Sequence, residues 1–427
     1  MNYGEALEYI HSVSWTFCKP GLSRISELCA ELGHPEDGLK FIHVAGTNGK
    51  GSFCSMTDSI LRSAGYNVGL FTSPYVVRFN ERMRVDGEDI SDSELAEIVE
   101  MIKPICDKMQ DKPTEFELIT AIAFVYFSRH NCDFVVLECG LGGRLDSTNI
   151  IKTPILSVIT GIALDHTAIL GDTPEKIAAE KAGIIKPKIP VVFGGEGDSV
   201  TEVIAARARE MGSTLYLARD FEPTGVSLDL SGASFDAFGY KGLHISLLGK
   251  YQVKNARNVL LAMEILKKSG VEISEAAIRL GLKRAVWHAR FEVLSREPLV
   301  IYDGAHNREG VDALLASVRE YFSDTSVICL SGTLADKEYD HTAEVITEIA
   351  ARAYTITPDN PRALSAADFA SYIESLGTKA YPSDSIADAV ARAYRDAEQS
   401  GLPLICFGSL YTYGEVAKEI DIIKNEA

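Results

Sequence analysis

Residues Gly46-Thr47-Asn48-Gly49-Lys50-Gly51-Ser52 follow an apolar run, Phe41-Ile42-His43-Val44-Ala45, and precede a helix-like segment that ends near Gly65. A strand, a glycine-rich turn carrying one lysine and then a helix form one α/β unit with an anion site at the turn. Glycines let backbone N–H groups approach a phosphate, the helix N-terminus adds partial positive charge, and the lysine adds a full one. The stretch departs from the generic phosphate loop at two places. Val44 stands where that pattern has its first glycine, and Gly51 separates Lys50 from Ser52. An ordinary strand-to-helix turn is the alternative reading.

The rest of the chain extends this α/β alternation. Apolar runs at Asn67–Thr72, Phe134–Cys139, Ile155–Thr160 and Pro190–Phe193 read as parallel strands covered on both faces, because they do not alternate with polar residues. Ser91 and Glu94 open a helix toward Met109 as a capping box, and Thr173-Pro174 opens another that ends near Gly183. Residues 214–248 are rich in Gly, Ser and Asp and suggest a small antiparallel β insertion. Helix returns from Gln252 to Gly270. A boundary is expected near Ser295-Arg296-Glu297-Pro298, giving a domain over 1–296 and a second over 297–427. The second carries strands at Leu299–Tyr302, Val327–Leu330, Ala353–Ile356 and Leu404–Phe407, and its roughly 130 residues suffice for a separate core.

Charge and cysteine usage narrow the function. The 427 residues carry 42 Lys and Arg against 60 Asp and Glu, a net charge of −18, which argues against a nucleic-acid partner. A local basic site can still bind an anionic small molecule. The eight cysteines form no C-x-x-C pair and sit largely in apolar runs, as buried thiols in a reducing cytoplasm do. Met1 to Ile10 shows no signal pattern, and no apolar run is long enough to span a bilayer, so a cytoplasmic protein without membrane contact is expected.

Polar residues at the ends of the expected strands mark the edge where ligands bind in open α/β sheets. Glu138 ends Phe134–Leu137 and precedes Cys139-Gly140-Leu141-Gly142-Gly143-Arg144, a placement suited to holding Mg²⁺ or to a solvated strand end. Asp165-His166 follows a third strand. Ser73 lies in Thr72-Ser73-Pro74, where a turn residue is equally expected. Lys181, taken alone, reads as a surface lysine on an amphipathic helix. Asp303-Gly304-Ala305-His306-Asn307 either caps the next helix or meets a ligand.

Together these segments resemble the folylpolyglutamate synthase/dihydrofolate synthase family of Mur-ligase-like, ATP-dependent amide ligases. The resemblance rests on eight segments in order. They are His43 to Ser52, Phe71-Thr72-Ser73-Pro74, Leu137 to Asn149, Leu164-Asp165-His166-Thr167, Glu180-Lys181-Ala182-Gly183-Ile184, Gln252-x-x-Asn255-Ala256, Asp303 to Asn307, and Gly408-Ser409-Leu410-Tyr411. It implies a phosphate-loop-containing parallel-sheet ATPase domain followed by a smaller C-terminal Rossmann-like α/β domain. Two departures stand out: Tyr75 replaces the family's usual His after Thr-Ser-Pro, and Trp287-His288-Ala289-Arg290 replaces Trp-Pro-Gly-Arg.

The resemblance also implies roles. Thr47, Asn48, Gly49, Lys50, Gly51 and Ser52 would hold ATP phosphates, with Asn255, Arg290 and Asp303 on the nucleotide. Ser73, Glu138 and His166 would bind Mg²⁺, and a carbamylated Lys181 would help place a second ion. Thr114, Phe116 and Glu117 would lie on the folate side, and His306 and Ser409 near the incoming glutamate. Lys50, Lys181 and His306 are the expected catalytic residues. The implied partners are ATP, L-glutamate, and folate or dihydropteroate, acting on a monomer. A Mur-type ligase using another carboxylate acceptor stays open. The helix-sized stretch before Gly46 argues against one that reads a nucleotide sugar with an extra domain. An ATPase or binding module without ligation is the third reading.

Overall fold

The computed structural model describes residues 1–12, 21–323 and 325–426. The chain forms two compact units. One takes Met1–Gly225, Phe235–His244 and Lys254–Ala285, and the other takes Val226–Ser234, Ile245–Val253 and Val286–Ala427.

Helices Tyr3–Ser12 and Ser23–Glu31 come first, then the strands of an eight-stranded sheet. These are β1 (Phe41–Ala45), β2 (Val68–Phe71), β3 (Met83–Val85), β4 (Glu88–Asp89), β5 (Phe134–Glu138), β6 (Leu156–Ile159), β7 (Val191–Phe193) and β8 (Leu215–Leu217). Their order is β4-β3-β2-β5-β1-β6-β7-β8. From β2 to β8 the neighbours are parallel, and β1, β2, β5, β6 and β7 are buried at every residue, so helices must cover both faces. On one face Phe71, Leu95, Ile98, Ile119 and Phe124 pack in one cluster. On the other, Ile159, Ala178, Ile184, Phe193 and Ile204 form a second.

Strands β3 and β4 pair antiparallel at one edge, a departure from the all-parallel expectation. They are three and two residues long and partly exposed, so they carry no continuous apolar run by which to recognise them.

Helix starts follow local chemistry. The Thr173 hydroxyl accepts from Lys176 N ahead of Pro174–Ala182. The Ser91 hydroxyl accepts from Glu94 N, and the Glu94 carboxylate meets His130 Nε2 at 3.0 Å.

Strands β9 (Thr224–Asp229), β10 (Gly232–Ala237) and β11 (Tyr240–Ile245) form a separate three-stranded sheet within 214–248. Two-residue connections at 230–231 and 238–239 make its neighbours hairpins.

The second unit holds β12 (Glu292–Arg296), β13 (Leu299–Asp303), β14 (Val327–Ser331), β15 (Ala350–Thr355), β16 (Ala380–Pro382) and β17 (Leu404–Phe407), in the order β12-β13-β17-β14-β15-β16. Only β12 runs antiparallel, against β13. Its longest segment runs from Val286, and within it β12 pairs with β13. Its core centres on Ile301, Leu314, Cys329, Ile346, Phe369 and Phe407. The cysteines among the described residues are buried and free, and Cys18 falls outside those residues. Among the described residues no helix is long and apolar enough to cross a membrane.

Candidate active site

β1 lies between β5 and β6, neither of them its neighbour in sequence, so the ends of these strands flank the turn that follows Ala45. That turn is fixed tightly. A Cβ on Gly46 would fall 1.9 Å from Thr160 Oγ1, and Gly49 has φ 84° with Asn255 Oδ1 directly over it. Thr160, the residue after β6, donates to Asn48 O at 2.7 Å. Thr47 N donates to Gly161 O at 2.8 Å, and the Thr47 hydroxyl exchanges bonds with the Ala163 backbone at 3.0–3.2 Å. Helix Lys50–Ser63 starts at once, with Gly51 and Ser52 buried in its first turn. The loop is a rigid cradle at a helix N-terminus.

Three charged side chains meet at this loop. Lys50 folds back onto it, with Nζ donating to Gly46 O (3.1 Å) and Thr47 O (3.2 Å). Glu138 ends β5 opposite Val44 of β1 and is 3% exposed. Its Oε1 lies 3.9 Å from Lys50 Nζ, and its Oε2 accepts from Ser73 N at 3.2 Å. Ser73 reaches it because β2 and β5 are neighbours that end level, Phe71 opposite Leu137.

Lys181 is not the surface lysine its helix suggests. It is 4% exposed, and its Nζ donates to Gly46 O at 2.8 Å. Burial, reinforced by the nearby Lys50 charge, pushes its pKa down to about 7. It is held there by packing beyond its own helix. Asn149 Nδ2 donates to both Arg144 O and Gly183 O, and Arg144 pairs with Glu180.

His166 stands at the start of the short helix Thr167–Leu170 in a left-handed conformation (φ 49°), which non-glycine residues seldom adopt. Its N–H donates to Asp165 Oδ1, and its half-exposed ring points Nε2 toward the same carboxylate at 3.9 Å. Glu138 and the Ser73 hydroxyl are hard oxygen donors, the kind Mg²⁺ takes, and Lys50 beside them marks a place built for an anion. Among the described residues no cluster of three or more His, Cys, Asp and Glu side chains gathers as a metal site. The expected set contributes only two such residues and a serine.

The folate-side trio separates into two kinds. Thr114 and Glu117 form a capping box, with Thr114 N donating to Glu117 Oε2 at 2.6 Å. Arg24 Nε donates to the same oxygen at 2.9 Å, so Glu117, 3% exposed, is spent on a cap and a buried ion pair. Phe116 packs against Gly140, just past Glu138, with its ring centroid 6.0 Å from that of Phe71.

In the second unit the polar residues again follow strand ends. Asp303 ends β13 and is 3% exposed. Its Oδ2 accepts from Phe291 N (2.9 Å) and the Tyr251 hydroxyl (2.8 Å), and its Oδ1 accepts from Ala305 N (2.8 Å). Burial raises its pKa, and Arg290 opposes the rise. Arg290 donates to Ala289 O at 2.8 Å. His306 Nδ1 lies 2.8 Å from Gly304 O; a carbonyl only accepts, so Nδ1 carries the proton. Ser409 is 2% exposed and its hydroxyl accepts from Tyr411 N at 3.2 Å.

Sequence reasoning missed Thr160, Gly161 and Tyr251. Thr160 bore the same signal as Glu138, a polar residue closing an apolar strand.

The fold and these strand ends define a Mur-type ligase. The family model for the Mur ligase middle domain matches residues 44–263, and that for the Mur ligase glutamate ligase domain matches 289–410. A dihydrofolate synthase/folylpolyglutamate synthase of Bacillus subtilis is 38% identical over 98% of this chain and 99% of its own length. The crystal structure of folylpolyglutamate synthase from Thermotoga maritima superposes with a TM-score of 0.86 at 34% identity, covering 98% of this chain and 96% of that one. A folylpolyglutamate synthase solved with AMPPCP and folate gives 0.86 at 34% identity, covering 99% and 100%. The chain belongs to the folylpolyglutamate synthase/dihydrofolate synthase family of ATP-dependent ligases.

Proposed function

We propose that this chain joins L-glutamate to a folate, to dihydropteroate or to both, driven by ATP through an acyl phosphate. The observation that carries this is the meeting of Lys50, Glu138 and buried Lys181 on one rigid phosphate loop. The acceptor carboxylate attacks the γ-phosphorus, the bond to the β,γ-bridging oxygen breaks, and ADP leaves. The α-amine of glutamate then attacks the acyl carbon, phosphate departs, and the nitrogen loses a proton. A free carboxylate resists amine attack at neutral pH, and phosphorylation supplies the leaving group.

Lys50 and the loop amides of Thr47 to Ser52 hold the phosphates and offset their charge. Asn255, Arg290 and Asp303 are assigned to the nucleotide. His306 and Ser409 are assigned to glutamate and the acyl phosphate, and Phe116 to the folate side, with Thr114 and Glu117 fixing the start of the helix that carries it. Ser73, Glu138 and His166 would hold Mg²⁺, which when bound neutralises developing charge on the phosphoryl oxygens. Lys181 suits carbamylation, since an amine with a pKa near 7 is about half neutral at physiological pH, whereas a free lysine is almost wholly protonated. Its lone pair attacks the carbon of CO₂, a proton leaves, and the resulting anion would help place a second ion. The protein works in this reading as a cytoplasmic monomer on small molecules.

Thr160 positions the loop, so Thr160→Val removes a donor to Asn48 O while keeping shape. A lost hydrogen bond of about 1–1.5 kcal/mol corresponds to a rise of roughly tenfold in KM for ATP. Steady-state kinetics should show this rise with kcat less affected, and Thr160→Ser should restore it. An unchanged KM would remove Thr160 from the loop's support.

The acceptor is tested by ADP release with Mg-ATP and L-glutamate, supplying dihydropteroate and tetrahydrofolate separately. Release with both means a bifunctional enzyme, and release with one assigns the branch. Release with neither refutes the folate reading.

A further inference from the structure

A second basic site lies in the second unit, away from the strand ends just described. Tyr354 of β15 and Tyr381 of β16 are direct cross-strand partners, and their rings stack with centroids 5.3 Å apart. Arg392, from the helix Ile386–Ser400, lies over both rings at 5.5 and 5.8 Å, and Lys379 Nζ lies 5.2 Å from the Tyr381 ring centroid. Arg352, two residues before Tyr354 and so on the same face of the sheet, is gripped by both oxygens of Asp396. Asp396 also accepts from the Tyr354 hydroxyl at 3.1 Å. Arg352, Tyr354, Tyr381, Arg392 and Asp396, with Arg395 and Gln399, line a cleft of about 520 Å³.

The charges do not cancel. Among the cleft's charges, Arg352, Arg392 and Arg395 face Asp396 and, 3.4 Å from Arg392, Asp388, while Lys379 stands beside the lining with Glu374 acting on it. The side-chain bond of Arg395 goes to the carbonyl of Ala391 on its own helix. Arg392 and Arg395 are three residues apart, which puts both on one face of the helix, and both line the cleft. Cation–π contact with both rings holds Arg392 in place, and the cleft keeps one positive charge in excess on a chain whose net charge is −18. Two guanidinium forks beside a planar floor match a row of carboxylates joined by flat amides.

The cleft does not belong to the candidate active site. Arg352 pairs in register with Ile328 near the start of β14, whereas Asp303 pairs with Phe407 at the finishing ends of β13 and β17. Arg395, Asp396 and Gln399 lie in the second half of their helix.

We infer that this cleft binds a γ-linked polyglutamate chain, the polyanion that repeated ligation would build, at a place apart from catalysis. The ligand assignment rests on the ligase reading above. The bond pattern of such a chain, one α-carboxylate per residue on a flexible amide backbone, fits the guanidinium pair and the tyrosine floor.

Calorimetric titration of the full chain with pterin-free tetra-γ-glutamate tests this, with inorganic triphosphate as a second probe. Arg392→Gln/Arg395→Gln should weaken tetraglutamate binding roughly tenfold. Arg395→Gln alone, which leaves the ring stack intact, should weaken it severalfold. Turnover of a monoglutamyl acceptor should stay unchanged in both. Equal tetraglutamate affinity in wild type and the double variant, no binding at all, or triphosphate binding lost in the variants while tetraglutamate binding is not, would each overturn the assignment. Calorimetry needs no turnover, so an inactive enzyme that still binds tetraglutamate through these arginines would refute the ligase reading alone.

Discussion

Lys50→Ala lowers turnover by roughly 10²–10³-fold, the cost of removing one group aimed at developing charge, and leaves the fold intact. The two halves of this result have separate causes. Nζ sits on the loop carbonyls of Gly46 and Thr47 and 3.9 Å from Glu138, where phosphate charge must be offset. The side chain is 17% exposed and begins a helix, a position alanine fills well. Steady-state ADP release and a thermal melt on the same preparation check both halves. Wild-type rates would sink the phosphate assignment, and a collapsed melt would make Lys50 structural.

Lys181→Met should abolish turnover and yet stabilise the protein at pH 6. In the folded wild type Lys181 titrates at about 7, against 10.5 for a free lysine. Between those values the unfolded chain holds a proton that the folded chain does not. Stability therefore rises with pH across that window, and the penalty of burying the charge is fully felt below it. A fall from 10.5 to about 7 sets a ceiling near ~5 kcal/mol, using the free energy of one pKa step. The variant removes one of the two donors to Gly46 O, since Lys50 Nζ still donates to it at 3.1 Å, and losing that bond costs about 0.5–1.5 kcal/mol. A net gain of up to about 3 kcal/mol at pH 6 remains, shrinking by pH 9. Urea unfolding at the two pH values, without bicarbonate, measures it. A variant less stable at pH 6, or a difference that ignores pH, would contradict the buried-amine account. In the same vein, Lys181→Ala should be slow and partly restored by short carboxylic acids. Absence of rescue would leave Lys181 as a brace of the phosphate loop and no more.

Much of this architecture was legible because buried parallel strands must be apolar at every residue. Phe41–Ala45 and Leu404–Phe407 have the limits read from the sequence, and Phe134–Glu138 differs by one residue. The edge strands were not legible, since Glu88–Asp89 and Glu292–Arg296 are short or partly exposed and lack that run. Strand-end logic located Ser73, Glu138 and Asp303, because a polar residue closing an apolar strand stands out. It could not show that Ser73 N meets the Glu138 carboxylate, which depends on β2 lying next to β5. The burial of Lys181 was hidden for a related reason. Its helix reads as amphipathic, and only the packing of Arg144 and Asn149 on Glu180 and Gly183 carries that lysine onto the loop. Thr114 and Glu117 show the converse: their capping-box spacing was in the sequence, and the structure spends both on the helix start.

The central claim is that ATP cleavage on this loop is spent on an amide bond to glutamate. Mass spectrometry of a reduced monoglutamyl folate after incubation with Mg-ATP and L-glutamate tests it most directly. The account predicts an acceptor heavier by one glutamyl residue for each ADP formed, with no product when either ATP or glutamate is omitted. ADP formed while the acceptor mass stays unchanged would contradict it.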